Sequence, residues 1–370
     1  MSDFIKHGKA SIVIDGQFGS TGKGLAAAYM CENAMLHNRS VIWDQMICTT
    51  NAAPNAGHTT VLPGGRKFIT FHMPTIAVMN DAPSIYLNAG AIIDMDVFKD
   101  EIEELKIRPR RITVHPNAAI ITKEDKKYEQ DRASGATKIA STQKGVGRAL
   151  ARKIMREGTT AKDIRSEFLK IGADVVAMDL NEAMIMNWAV VIETPQGMGL
   201  SLNNGFHPHC TSREVSVAQS LSDAGVHPSY LHKTLMTTRT FPIRVGNIVD
   251  ETGQTIGHSG GVYDDQRELS WEDFPHVEPE RTTVTKRVRR IFTFSEQQYR
   301  DSIARLRPDI VHIGFCDYLK TKDDLMNLLW KMNKAHVFYN YEPEIVCSFG
   351  PCTTDVVSVE AAIRKLQNDA

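Results

Sequence analysis

A short apolar run, Ser11-Ile12-Val13-Ile14-Asp15, halts at Gly16, and a helix-forming stretch, Leu25-Ala26-Ala27-Ala28-Tyr29-Met30, begins soon after. β-branched residues favour the extended chain, whereas Ala and Leu have the best helix propensity. Between them lies Gly16-Gln17-Phe18-Gly19-Ser20-Thr21-Gly22-Lys23-Gly24. Strand, glycine turn and helix in that order open many α/β nucleotide-binding folds. Closely spaced glycines let backbone N–H groups converge on an anion, and the helix adds its positive N-terminal end. Lys23 is placed to reach outer phosphates. The loop is not a regular Walker A sequence, which needs Gly six positions before the lysine and Ser or Thr after it. Gln17 and Gly24 stand there instead. An ordinary glycine turn is the plainer alternative.

Further apolar runs recur at Ser84–Leu87, Arg111–Val114, Ala189–Ile192, Ile310–Ile313 and Glu344–Cys347. Between several of them the pattern is helical. Asp94 is expected to cap a helix over Met95–Leu105, and Thr321 one covering Leu325–Met332. Strands alternating with helices predict an α/β fold with a mainly parallel central sheet covered on both faces. Four polar stretches interrupt the alternation: Thr49 to Gly65, Ala133 to Arg148, Pro195 to Ser212 and Glu251 to Arg290. Such long loops in an α/β protein usually carry function. With no repeat or clear linker, residues 1–370 are read as one large domain.

Composition narrows the function classes. The chain has 370 residues, 42% hydrophobic, enough for a buried core. Its 43 Lys+Arg balance 44 Asp+Glu, which argues against nucleic acid as a partner. No apolar run approaches the ~20 residues of a membrane span, and Met1 to Gly8 carries no signal-peptide core. The six cysteines are scattered, without zinc-site spacing or disulfide-scaffold density. A soluble enzyme of a reducing compartment, the cytoplasm, is expected.

Two more constellations have chemical content. In Asn55-Ala56-Gly57-His58-Thr59 a loop histidine beside glycine can approach a substrate and donate a hydrogen bond or proton. In Thr283-Val284-Thr285-Lys286-Arg287-Val288-Arg289-Arg290, hydroxyls interleaved with guanidinium groups suit a carboxylate or phosphate. A solvated basic strand or an RNA-contacting edge is the alternative there, and the balanced charge disfavours RNA.

Together these segments resemble the adenylosuccinate synthetase family from the first strand nearly to the C-terminus. The family's Gln-Trp-Gly-Asp-Glu-Gly-Lys-Gly loop is similar to Gln17 through Gly24, and its Asn-Ala-Gly-His-Thr is matched in full by Asn55 to Thr59. Its Thr-Thr-Gly-Arg-Gly-Ile-Gly resembles Ser141 to Gly147, with a downstream Arg at Arg156. Glu-Gly-Ala-Gln-Gly resembles Glu193 to Gly197, and a later Thr-Ser is Thr211-Ser212. The Thr-Lys-Leu-Asp segment is reduced to Gly314-Phe315-Cys316-Asp317, and Ser-Thr-Gly-Pro is Ser348-Phe349-Gly350-Pro351.

The resemblance implies ligation of L-aspartate to C6 of a purine monophosphate, driven by a nucleoside triphosphate with Mg²⁺. The γ-phosphate goes to O6, and the aspartate amine then displaces phosphate. It assigns catalysis to Ser20, Lys23 and His58. Triphosphate contacts fall on Gly19, Ser20, Thr21, Gly22, Lys23, Gly24, Gly57, His58, Thr59, Asp317, Ser348, Gly350 and Pro351. Monophosphate contacts fall on Ser20, Asn55, Ser141, Thr142, Arg156, Gln196 and Thr211. Aspartate contacts fall on Thr283, Val284, Thr285, Arg287 and Arg289, and metal contacts on Ser20 and Gly57. Arg156 matches a residue that reaches the neighbouring subunit's substrate, which implies a homodimer.

Two departures are informative. Ser20 stands where the family has the Asp that takes the N1 proton, and Phe315 replaces the base-recognition Lys. Both resemble the phage-borne branch of the family, which joins aspartate to dGMP on the route to 2-aminoadenine DNA. That branch implies ATP or dATP as donor, with GTP left open, and the host cytoplasm as the compartment. An ordinary synthetase using IMP and GTP is the runner-up. A non-catalytic nucleotide-binding relative is the third reading.

Overall fold

The computed structural model describes residues 3–37, 43–62, 64–79, 83–131 and 135–368, so residues 63, 133 and 134 of the polar stretches lie outside the described residues. Its centre is a ten-stranded sheet. From one edge the order is Val356–Ser358, Glu344–Ser348, Ile310–Gly314, Leu231–Arg239, Ala10–Asp15, Ala189–Gly197, Met46–Thr50, Ser84–Leu87, Ile112–Val114 and Asp174–Val175. Neighbours run parallel except at the first edge, where Val356–Ser358 pairs antiparallel with Glu344–Ser348. This is the expected α/β fold with a mainly parallel sheet.

The alternation of side chains along Ala10–Asp15 shows why both faces must be covered. Ile12 and Ile14 enter one core with Val190, Ile192, Met236, Val311 and Ile313, while Val13 enters another with Leu25, Met30, Val191 and Leu235. Each such side chain, fully buried, contributes about 1.5–3 kcal/mol. The first core is closed by the helices Glu296–Leu306 and Lys322–Tyr339, the second by Lys23–His37. Asp94 caps Met95–Leu105, and Thr321 forms a reciprocal capping box with Asp324 at the start of Lys322–Tyr339. No helix among the described residues is long and apolar enough to cross a membrane.

Two strands fall where the hydrophobic pattern is weak. Met46–Thr50 runs into the polar stretch that begins at Thr49, and Leu231–Arg239 carries His232, Lys233, three threonines and Arg239 yet lies beside the first strand. Neighbouring strands and loops bond its polar groups: Thr237 Oγ1 lies 2.6 Å from Thr21 Oγ1, and Arg239 N donates to Gln17 Oε1 at 3.1 Å. The polar stretches also hold more structure than loops. The strand Ala189–Gly197 runs past Pro195, His58–Val61 pairs with Lys67–Thr70, and a helix begins at Val146.

Candidate active site

At the C-terminal end of the first strand the chain turns through Gly16–Gly22 into the helix that starts at Lys23. Asp15 organises this turn. Its Oδ1 accepts from Gln17 N at 2.7 Å, and its Oδ2 from Thr21 Oγ1 at 2.5 Å and Lys23 Nζ at 3.3 Å. Lys23 also donates to Gln196 O at 3.2 Å. Ser20 adopts a left-handed conformation (φ 57°), and its carbonyl accepts from Arg239 Nη1 at 3.2 Å. The phosphate loop is thus tied to the strand behind it before any ligand enters.

The loop opens on a cavity of about 860 Å³. Every site residue expected from the sequence lines it except Ser141, Thr211, Arg156 and Arg287. Glycines bring the walls together. A Cβ on Gly24 would sit 2.8 Å from Thr59 O, and one on Gly57 would sit 2.7 Å from Thr283 Cγ2. The Asn55–Thr59 motif is therefore clamped between the phosphate loop and the Thr283–Thr285 segment. His58 is part-exposed to the cavity, and its imidazole is pushed down to about 3 by desolvation and then by the Lys23 charge. It is neutral until anionic phosphates offset that charge.

The Thr283–Arg289 segment is a small hairpin. Its root is the Arg289 N to Glu280 O bond at 2.8 Å, followed by Thr282 N to Arg287 O at 2.8 Å. The two arginines differ in employment. Arg287 donates to Gly246 O at 3.0 Å, Ala140 O at 3.2 Å and Thr285 Oγ1 at 3.0 Å, so it stitches loops together outside the cavity. Arg289 lines the cavity; it reaches Glu280 Oε2 only at 3.9 Å, and its buried Nε has no hydrogen-bond partner among the described residues. Desolvation, against the Glu280 charge, pushes its guanidinium down to about 10, still cationic at neutral pH. A desolvated cation with open N–H groups is a ready receptor for a carboxylate.

Sequence reasoning missed the group beneath these elements. Arg239, fully buried, donates to both oxygens of Glu280, which also accepts from Tyr318 Oη at 2.7 Å. The Arg239 guanidinium lies 3.7 Å from the ring centroid of Phe315, itself left-handed at φ 61°. A lone Glu between Pro279 and Arg281 has no periodicity to mark it, and its partner is 41 positions away. Phe315, Asp317, Ser348, Gly350 and Pro351 form the far end of the cavity, where desolvation raises the Asp317 carboxyl.

Of the remaining expected residues, Gln196 is left-handed (φ 66°) and lines the cavity with Asn55 and Thr142. Ser141 Oγ accepts from Gln143 N at 3.2 Å, and Thr211 N donates to Leu200 O at 2.7 Å. Arg156 is exposed just beyond the helix Val146–Ile154 and does not line the cavity. For Mg²⁺, the cavity offers neutral oxygens at Ser20 and Gly57, and Asp15 is engaged by Thr21 and Lys23. Such a donor set fits a small hard cation only when substrate phosphates supply the charge, which is Mg²⁺'s usual mode.

Comparison with known proteins agrees with this geometry. The adenylosuccinate synthetase family model matches residues 12–170 and 161–326. The N6-succino-2-amino-2'-deoxyadenylate synthase of Salmonella phage PMBT28 is 35% identical over 343 residues, covering 88% of this chain and 90% of that protein. Adenylosuccinate synthetase of Pyrococcus horikoshii is 32% identical over 276 residues, covering 71% and 77%. Among solved structures, Cyanophage S-2L succinoaminodeoxyadenylate synthetase, bound to dGMP and to dATP as energy donor, superposes with a TM-score of 0.82 at 30% identity, covering 97% of this chain and 98% of that one. The Plasmodium falciparum adenylosuccinate synthetase shares the fold, with a TM-score of 0.74 at 16% identity over 94% of this chain and 99% of that one. With this family match over most of its length, the chain belongs to the adenylosuccinate synthetase family.

Proposed function

We propose that this chain joins L-aspartate to C6 of dGMP, using ATP or dATP, to give the succino-2-amino-deoxyadenylate needed for 2-aminoadenine DNA. The observation that carries this reading is Ser20. A hydroxyl, held left-handed at the tip of the phosphate loop, stands where the IMP-using enzymes resembled by the sequence keep a carboxylate. Guanine carries a 2-amino group beside N1–H. A carboxylate there would grip both as a stable ground-state pair, which does not help reaction. The phage relatives, and the solved relative that holds dGMP and dATP, support the same reading.

The chemistry follows from the purine 6-oxo group being a poor leaving group. The phosphate loop and Lys23 hold the triphosphate. In-line transfer breaks the bond from the γ-phosphorus to the β–γ bridging oxygen and places the γ-phosphoryl on O6, with ADP or dADP leaving and the N1 proton passing to water. His58 donates a hydrogen bond to the transferring oxygens. The amine of aspartate, its carboxylate held at Arg289, attacks C6; the C6–O6 bond breaks and inorganic phosphate leaves. Mg²⁺ when bound offsets phosphate charge, with Ser20 and Gly57 as its protein oxygens. Arg156, exposed and not lining its own cavity, is proposed to complete the monophosphate site of a second subunit.

The test is phosphate release from IMP, GMP and dGMP against ATP, dATP and GTP, with and without L-aspartate. Aspartate-dependent release with dGMP supports the proposal. Release with IMP and GTP alone identifies an ordinary synthetase, and no release with any pair identifies a non-catalytic relative.

A further inference from the structure

His312 lies on the central strand Ile310–Gly314, fully buried beneath the phosphate loop. Its ring is in contact range of that loop, since a Cβ on Gly22 would sit 3.5 Å from His312 Cε1. Its Nε2 lies 3.0 Å from Ser348 Oγ, while its Nδ1 has no hydrogen-bond partner among the described residues. Ser348 in turn is buried at the end of its strand and lines the cavity beside Gly350 and Pro351. One ring nitrogen thus faces a cavity hydroxyl, and the other has no hydrogen-bond partner among the described residues.

This arrangement selects a tautomer. Desolvation pushes the imidazole down to about 4, so it is neutral at pH 7 and carries one N–H. Placing that N–H on Nδ1 strands a donor in the interior, at a cost of about 1–3 kcal/mol, and leaves Ser348 to donate inward. Placing it on Nε2 uses the proton against Ser348 Oγ and leaves a lone pair orphaned, which protein interiors tolerate better than an orphaned N–H. With its oxygen accepting from His312, the Ser348 hydroxyl turns its own proton toward the cavity.

We propose that His312 is a positioning residue that fixes the Ser348 hydroxyl as a hydrogen-bond donor to an acceptor atom on the base of the donor nucleotide. The inference rests on the proposed function in placing that base near Ser348. Tyrosine or threonine elsewhere in the wall cannot substitute, because no other group of the described residues is hydrogen-bonded to Ser348 Oγ.

Two measurements test it. ¹⁵N spectra of histidine-labelled protein, assigned with His312→Gln, report the tautomer whatever the substrate is. Protonation at Nε2 supports the proposal, and protonation at Nδ1 overturns it. Kinetics give the second arm, with ATP varied at saturating dGMP and L-aspartate. His312→Phe keeps a ring but removes the donor, and should raise the ATP KM about five- to tenfold with kcat within about twofold. His312→Gln keeps an N–H and should stay near wild type. Ser348→Ala should match His312→Phe, and the double variant should be no worse than either alone. An unchanged ATP KM, or additive losses, overturns the proposal; so does a uniform fall for every substrate accompanied by a lower Tm. If His312→Phe does not fold, Ser348→Ala and His312→Gln carry the same comparison. Failure of dGMP turnover in wild type is a different result: equilibrium binding of ATP, weaker in His312→Phe than in wild type, then still supports the role of His312, and equal binding overturns it.

Discussion

Arg239 and Glu280 form an ion pair at the cavity wall that Glu280 and Tyr318 line, with the guanidinium fully buried and the carboxylate shared with Tyr318. It joins elements that are far apart in sequence. Arg239 also holds the Ser20 carbonyl, and Glu280 is the root of the hairpin that carries Arg289. Two buried guanidiniums therefore share one carboxylate, and because Arg239 takes its hydrogen bonds, Arg289 keeps open N–H groups for a ligand.

Glu280→Gln is expected to leave Arg239 buried without a counter-charge, at a cost of about 3–5 kcal/mol. The pH dependence has a defined sign. Desolvation would raise the Glu280 carboxyl, but Arg239, Tyr318 and Arg289 together hold it below its ordinary value of 4.5. The pair thus contributes fully above 4.5, and its contribution is lost as pH falls through the lower folded value. Thermal melts between pH 3 and 7 check this: the gap between wild type and Glu280→Gln should be widest near neutrality and shrink in acid. A gap independent of pH would mean that the charge is not what matters.

Much of this site was legible in the sequence because its motifs are local. The Ser11–Asp15 run and the glycines to Gly24 fixed a strand, an anion loop and a helix start within one short stretch. Asp94 and Thr321 announced helix starts by the same local logic. What escaped was long-range. Leu231–Arg239 is threonine-rich and carries an arginine, so nothing in its polarity marks a strand beside the first one; Thr237 and Arg239 find partners in Thr21, Gln17 and Glu280, all distant in the chain. The division of labour between Arg287 and Arg289 was equally invisible: residues two apart on an extended chain share a face, and it is the bonds of Arg287 to Gly246 and Ala140, far off in the chain, that hold it out of the cavity.

That division predicts different phenotypes for two similar substitutions. Arg289→Leu removes the cavity cation and should raise the L-aspartate KM strongly, by the equivalent of about 2–5 kcal/mol, with the dGMP KM little changed. Arg287→Leu cuts the ties to Gly246 and Ala140, so it should loosen the hairpin and increase its proteolytic nicking. Steady-state kinetics beside limited proteolysis separate the two. Identical kinetic defects in both variants would argue that Arg287 also turns into the cavity when aspartate binds.

The exposed position of Arg156 predicts complementation between subunits. Arg156→Leu and His58→Ala chains, each inactive alone, should recover about a quarter of wild-type activity when mixed in equal amounts and allowed to exchange, because a two-fold hybrid restores one of its two sites. Mass spectrometry of the mixture establishes that hybrids form. Hybrids without activity would place Arg156 outside the reaction or within its own chain's site.

Ser20 is where the proposed substrate is most exposed to test. Its left-handed backbone is a conformation that aspartate tolerates better than most residues, so Ser20→Asp should fold without rebuilding the loop. Wild type should prefer dGMP to IMP. The introduced carboxylate should abolish most dGMP turnover, by crowding the 2-amino group or by locking N1–H and N2–H in a pair that reaction must break. It should also confer some IMP turnover, since a base then stands beside N1. The Arg239 bond to the Ser20 carbonyl is a backbone contact and is kept in the variant. Kinetics of both proteins on both nucleotides decide the question, with Tm confirming that the loop is intact. A wild type that consumes IMP and ignores dGMP would leave the hydroxyl without the role argued for it, and the chain would be an ordinary synthetase whose N1 base lies elsewhere in the cavity.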